Sequence, residues 1–173
     1  VNAVVLCSHL PGEGHFRSTR FKVVPIECVD PYDYWRGVAY WWGSGRTIVG
    51  IEHDMEVSDA HVRELIDCPN SLCAWAYHCH FASTGLPRDV IAAGTGSRGS
   101  GLTSDPEYLT GGERWAAWSA IGVVKIAAQA RLGPLRRESW QLLELSVHDA
   151  VHRPWHIHGN AVGGADLIHH HHW

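Results

Sequence analysis

Apolar residues along this chain gather in short runs divided by polar turns, and two different spacings within those runs predict two kinds of element. Residues 3–7 (AVVLC), 22–28 (KVVPIEC), 47–51 (TIVGI), 74–80 (AWAYHCH) and 121–127 (IGVVKIA) have the length of strands. They are rich in branched or aromatic side chains, which favour the extended backbone. Pro25 lacks the N–H that a central strand donates, so 22–28 is expected at a sheet edge. Three-and-four spacing marks Trp35, Val38, Ala39 and Trp42 within 32–42, Val62, Leu65 and Ile66 within 59–66, and Trp140, Leu143, Val147 and Val151 within 140–151. Each set puts one apolar stripe on a helix, and Ser58 and Ser139 stand where they can cap the second and third. Residues 113–118 (ERWAAW) predict one more helical turn.

Strands alternating with helices in this order predict an α/β domain with a partly parallel sheet. In such sheets ligands collect at the carboxyl ends of the strands, where loops converge. The segment from 82 to 112 has no strong periodicity, and its most glycine-rich stretch (GTGSRGSGLTS) is expected to close as a lid over a ligand. Residues 1–162 read as a single domain and 163–173 as a flexible tail, whose four-histidine run (169–172) reads as a tag remnant or a native metal-binding end.

Composition narrows the class only a little. With 173 residues, 45% hydrophobic and 18% charged, the chain is long enough for one substantial core. A formal charge of -4 supplies no basic field for a phosphate backbone, which sets duplex nucleic acid aside as a partner. Five cysteines, an odd number, argue against a fully paired extracellular framework. No apolar run reaches the length of a membrane span and no secretion signal opens the chain, so the expected location is cytoplasmic. Nine tryptophans offer flat faces that suit cores, interfaces and the stacking of sugars or bases.

The chemistry-bearing residues concentrate in three places. Glu52, His53 and Asp54 follow directly on the strand 47–51, and in extended backbone Glu52 and Asp54 share one side. Two adjacent acids repel unless a cation lies between them, which points to Mg²⁺ or Mn²⁺, with Asp54 as a direct ligand. His156 and His158 (WHIH) also project together from a strand-like segment and are expected to complete that metal's coordination, favouring Mn²⁺. Cys68, Cys73, His78 and His80 form C-x4-C-x4-H-x-H, a set that could bind zinc although its spacing departs from the usual knuckle; a buried structural cluster is the plainer account, and Cys68 with Cys73 could also form a small disulfide if oxidised. The glycine-rich stretch lacks the G-K-[ST] ending of a nucleotide-hydrolase loop, which leaves Arg98 as a phosphate contact within a lid.

The order of these pieces resembles a GT-A-type glycosyltransferase. More narrowly, IVGIEHDMEVSDAHVRELIDCPNSLCAWAY, GVVKIA and WHIHGNAV resemble small glycosyltransferase-like proteins of bacteria and their phages, through the acidic triplet, the C-P-x-x-x-C turn and H-x-H. The resemblance implies a compact GT-A-like nucleotide-binding fold, with a mixed, largely parallel sheet flanked by helices. It also implies a nucleotide-diphosphate-sugar donor, Mn²⁺ or Mg²⁺, and an unknown carbohydrate, protein or small-molecule acceptor. Glu52 takes the place of the leading aspartate of the triplet. His9, Arg17 and Asp30 would line the nucleotide, with Asp54, His156 and His158 on the metal. Glu144, then Glu113, would be the base that deprotonates the acceptor hydroxyl in an inverting transfer. The alternatives are a noncatalytic nucleotide-sugar or carbohydrate-binding protein and a metal-dependent phosphate-ester hydrolase.

Overall fold

The computed structural model describes residues 2–75, 78–81, 90–91, 93–94, 115–116, 118–119, 121–139, 143–151, 154–159 and 168–171. Along the chain these form β1 (Ala3–His9), β2 (Val23–Glu27), α1 (Asp33–Trp42), β3 (Thr47–Ile51), α2 (Asp59–Asp67), β4 (Leu72–Trp75), β5 (His78–Phe81), β6 (Val90–Ile91) and β7 (Ala93–Gly94). There follow β8 (Trp115–Ala116), β9 (Trp118–Ser119), β10 (Val123–Ile126), α3 (Leu143–Val151), β11 (Trp155–His158) and β12 (Ile168–His171). The expected strand 74–80 is therefore two strands, and Trp115–Ala116 is a strand where a helical turn was expected. The two parts of the first stretch pair with different partners in different sheets; the second stretch pairs with the edge of β11.

One seven-stranded sheet organises the chain in the order β2-β1-β3-β10-β4-β11-β8. β1 pairs parallel with β2 and β3, and β11 parallel with β4. β10 is antiparallel to both β3 and β4, and β8 to β11. The sheet is thus mixed, with β10 breaking the parallel run, rather than the largely parallel one expected. β2 holds Pro25 at the edge, as its missing donor requires. Smaller sheets join β12-β5-β6 and β7-β9, so part of the expected tail is a strand paired parallel with β5.

Alternation along the strands sorts side chains onto two faces. Val4, Leu6, Ile48, Val124, Ile126 and Ile157 pack on one face with Tyr34 and Val38 of α1 and Leu143, Val147 and Val151 of α3. Val5, Val49, Ile51, Cys73, Trp75 and Val123 pack on the other with Val62 and Leu65 of α2. The three layers follow from the apolar stripes read in the sequence, and Trp155, wholly buried, anchors the first face. Local chemistry fixes the helix ends. The Asp33 carboxylate accepts the Val29 and Asp30 N–H groups at 2.8 Å each, and Gly45, at φ +71°, provides the left-handed turn between α1 and β3. At α2, the Ser58 backbone N–H donates to His61 Nδ1 at 3.1 Å, half of a capping box. Among the described residues no helix is long and apolar enough to cross a membrane.

Candidate metal centre and acid cluster

On the α2 face, sheet register places chemistry that is distant in sequence side by side. Cys73 of β4 is the direct partner of His156 of β11, and His158 pairs with Trp75 one step of alternation further on. Cys68 reaches the same spot from the C-cap of α2, where its backbone N–H closes the helix onto the Glu64 carbonyl at 3.0 Å. The ligand atoms of Cys68, Cys73, His156 and His158 all lie within 4.8 Å of one another. Cys68 Sγ is 3.6 Å from His156 Nδ1, His156 Nδ1 is 3.3 Å from His158 Nε2, and the two sulfurs are 3.1 Å apart. Cys73 and His158 are buried, Cys68 and His156 half-buried.

The surroundings orient these groups. His158 Nδ1 stands 2.8 Å from Glu64 Oε1; donating there, the ring leaves Nε2 with its lone pair directed to the cluster. Asn70 Nδ2 approaches Cys68 Sγ at 3.6 Å, and the Trp75 and Trp115 rings lie 5.7 Å from His158 and 5.2 Å from His156. Lys125, buried in the middle of β10, donates from Nζ to the Cys68 carbonyl at 2.5 Å. Burial pushes the Cys73 thiol well up, with the Cys68 sulfur adding to the rise and the Lys125 charge opposing it. Two thiolates with a divalent cation are neutral, and Glu64 and Lys125 beside them also balance. The arrangement is a potential metal-binding site made of soft donors.

The second concentration of chemistry lies at the carboxyl end of β3. The strand ends at Ile51, and Glu52 to Met55 form a turn in which the Met55 N–H donates to the Glu52 carbonyl at 3.3 Å. The acidic triplet is therefore turned, not extended as expected, because the Glu52 N–H is satisfied by Gly122 at 2.8 Å and the ladder stops there. Glu52 keeps some solvent contact, yet enclosure by protein pushes its carboxyl up to about 8, with Asp54 and then Glu144 adding repulsion. Glu144, in the first turn of α3, is raised to about 7 by burial. Glu52 therefore senses both Asp54 and Glu144.

Of the residues singled out in the sequence, the structure brings together His156 and His158, but with Cys68 and Cys73 rather than with Asp54. β10 and β4 separate β3 from β11, a span of about 14 Å. His78 and His80, the expected partners of the two cysteines, belong to β5 in another sheet. Asp30 is tied into the start of α1, accepting the Tyr32 N–H at 2.7 Å and the Arg36 guanidinium at 2.7 Å. That guanidinium, then the Tyr32 N–H, hold its carboxyl below the usual range. His9 closes β1 beside His15, with ring centroids 5.1 Å apart, and Arg17 lies exposed in the loop after it. Glu113, Arg98 and all of the expected lid except Gly94, the end of β7, lie outside the described residues. Glu64 and Lys125 were missed: nothing in a helical glutamate or a strand lysine distinguishes it until the sheet is assembled. Comparison with known proteins finds no matching family model, no matching curated protein and no matching solved structure.

Proposed function

We propose that this chain is a zinc-binding α/β protein whose metal, held by Cys68, Cys73, His156 and His158, clamps the end of α2 to β4 and β11. The mutual closeness of four ligand atoms from three separate elements carries this reading. Zinc bond lengths with tetrahedral angles ask for ligand separations of about 3.3 Å between nitrogens, about 3.6 Å between nitrogen and sulfur, and about 3.8 Å between sulfurs. The nitrogen–nitrogen and nitrogen–sulfur distances of 3.3 and 3.6 Å agree, and the sulfurs at 3.1 Å need only part slightly. Thiolate donors favour zinc over Mn²⁺ or Mg²⁺. Four protein ligands leave no open position, so the metal's role is to hold structure rather than to activate water.

The test replaces zinc with Co²⁺. Wild-type protein should show sulfur-to-cobalt charge transfer and tetrahedral d–d bands at one equivalent. Cys68→Ser and His158→Ala should weaken or abolish them. Because the charge-transfer band requires a thiolate, it separates this site from the histidine run at 169–172. Cobalt bound without that band would refute the assignment.

A glycosyl-transfer reading draws on a different observation, the paired elevation of Glu52 and Glu144 at the carboxyl end of β3. A carboxyl that titrates near neutral pH is suited to exchanging a proton with an acceptor hydroxyl. In that reading Glu144 is the base, Asp54 holds Mn²⁺ or Mg²⁺, and a nucleotide-diphosphate sugar is the donor. A panel of nucleotide sugars with Mn²⁺ and varied acceptors should give sugar-bearing product with wild type and little with Glu144→Gln. No product from any donor, or equal product from the variant, would remove this reading.

A further inference from the structure

A cavity of about 360 Å³ opens beside α2, on the flank of the helix away from the metal centre. Helical spacing separates the two flanks. Glu64 and Cys68 serve the metal cluster, while Arg63, Ile66 and Asp67 line the cavity. Ala3 and Val5 of β1 and Ile66 supply apolar walls. Arg20, Phe21 and Lys22, just before β2, close the far side.

The charge lining this cavity is opposite in sign to the formal charge of the chain. Three cations, Arg20, Lys22 and Arg63, face one lining carboxylate, Asp67, in a protein whose formal charge is -4. Arg20 is drawn toward Asp59, at 4.0 Å. Among the described residues Lys22 and Arg63 form no ion pair. The Arg63 guanidinium is instead held over the Phe21 ring, 5.1 Å from its centroid, which fixes its position while leaving its N–H groups available to an anion. Gathering like charges around one hollow of mixed polar and apolar lining costs repulsion, and an anion seated among them would relieve it.

We infer that this cavity binds a small phosphate ester carrying an apolar group, with the phosphate between Arg63 and Lys22 and the apolar part against Ala3, Val5 and Ile66. A fork of guanidinium N–H groups matches phosphate oxygens in pairs, and Lys22 adds a point charge. The apolar walls distinguish such an ester from a bare anion. The volume suits a molecule of mononucleotide size rather than a polymer. The site uses none of the four metal ligands, so it stands or falls apart from the zinc assignment.

Calorimetric titration of the full, zinc-loaded chain with phenyl phosphate and with inorganic phosphate tests the inference. Phenyl phosphate should bind saturably with one site, at least about tenfold tighter than phosphate, and weaken as salt is raised. Lys22→Ala and Arg63→Ala should each reduce affinity about tenfold or more, since each removes a charge-assisted contact. Both positions are exposed, and circular dichroism would confirm that the variants fold. Arg137→Ala, whose guanidinium lies over Tyr32 at 4.6 Å and outside the cavity, should bind as wild type does. Absence of saturable binding would overturn the inference. So would affinities equal for the two probes, or unchanged in both cavity variants.

Discussion

On the zinc reading, removing the metal should lower the melting temperature of this protein substantially, on a scale set by ligand linkage. The four ligand atoms already lie within 4.8 Å, with nitrogen–nitrogen and nitrogen–sulfur distances of 3.3 and 3.6 Å. The sulfurs at 3.1 Å must part and the wider separations close, and the coordination energy left after that adjustment is available to the fold. The unfolded chain has no such site, because Cys68 and His156 are 88 residues apart in sequence. Binding to the folded state alone stabilises by RT ln(1 + [Zn]/Kd), or about 4 kcal/mol at free zinc a thousandfold above Kd. For a chain of this size each kcal/mol shifts the midpoint by about 2–4 °C, so the expected gain is about 8–16 °C. Differential scanning calorimetry with buffered free zinc and with excess chelator gives both limits. Cys68→Ser, with zinc present, should melt close to the chelated wild type and gain little from added metal. A wild-type midpoint that ignores zinc and chelator alike would refute the reasoning, as would a Cys68→Ser protein that responds fully.

Two more expectations follow from neighbouring groups. Glu64→Gln keeps the shape beside His158 but removes the carboxylate at 2.8 Å, and should weaken zinc binding roughly 10- to 100-fold in a competition titration; unaltered affinity would mean that Glu64 does not orient the ring. Glu52, raised from 4.5 to about 8 in the folded state, favours the fold below about pH 4.5 and loses that contribution as pH rises toward 8. Glu52→Gln stays neutral throughout, so its melting temperature should gain on wild type across that window and level off above it. Melting curves that shift in parallel with pH would contradict an elevated Glu52.

The sequence by itself determined the strongest elements, though not Trp115–Ala116, a strand where a helical turn is expected, nor the burial of Tyr34 in α1. Branched runs gave β1, β2, β3 and β10, the apolar stripe of 59–66 gave α2, and Pro25 put β2 at the edge, because backbone preference and apolar spacing act locally. It also marked nearly every residue of the metal cluster, since C-x4-C and H-x-H stand out as ligand pairs. What it could not determine was which pair meets which. Nearness in sequence points Cys68 and Cys73 to His78 and His80, and the resemblance to a glycosyltransferase points His156 and His158 to Asp54. The tertiary structure brings His156 and His158 to Cys68 and Cys73. β11 enters the sheet parallel to β4 and puts His156 directly against Cys73, while β10 and β4 hold Asp54's strand away from His158. Strand order is a long-range choice, made by the packing of whole faces, and no local pattern encodes it. For the same reason Lys125 and Glu64 acquire chemical roles only when β10 and α2 are laid against the cluster.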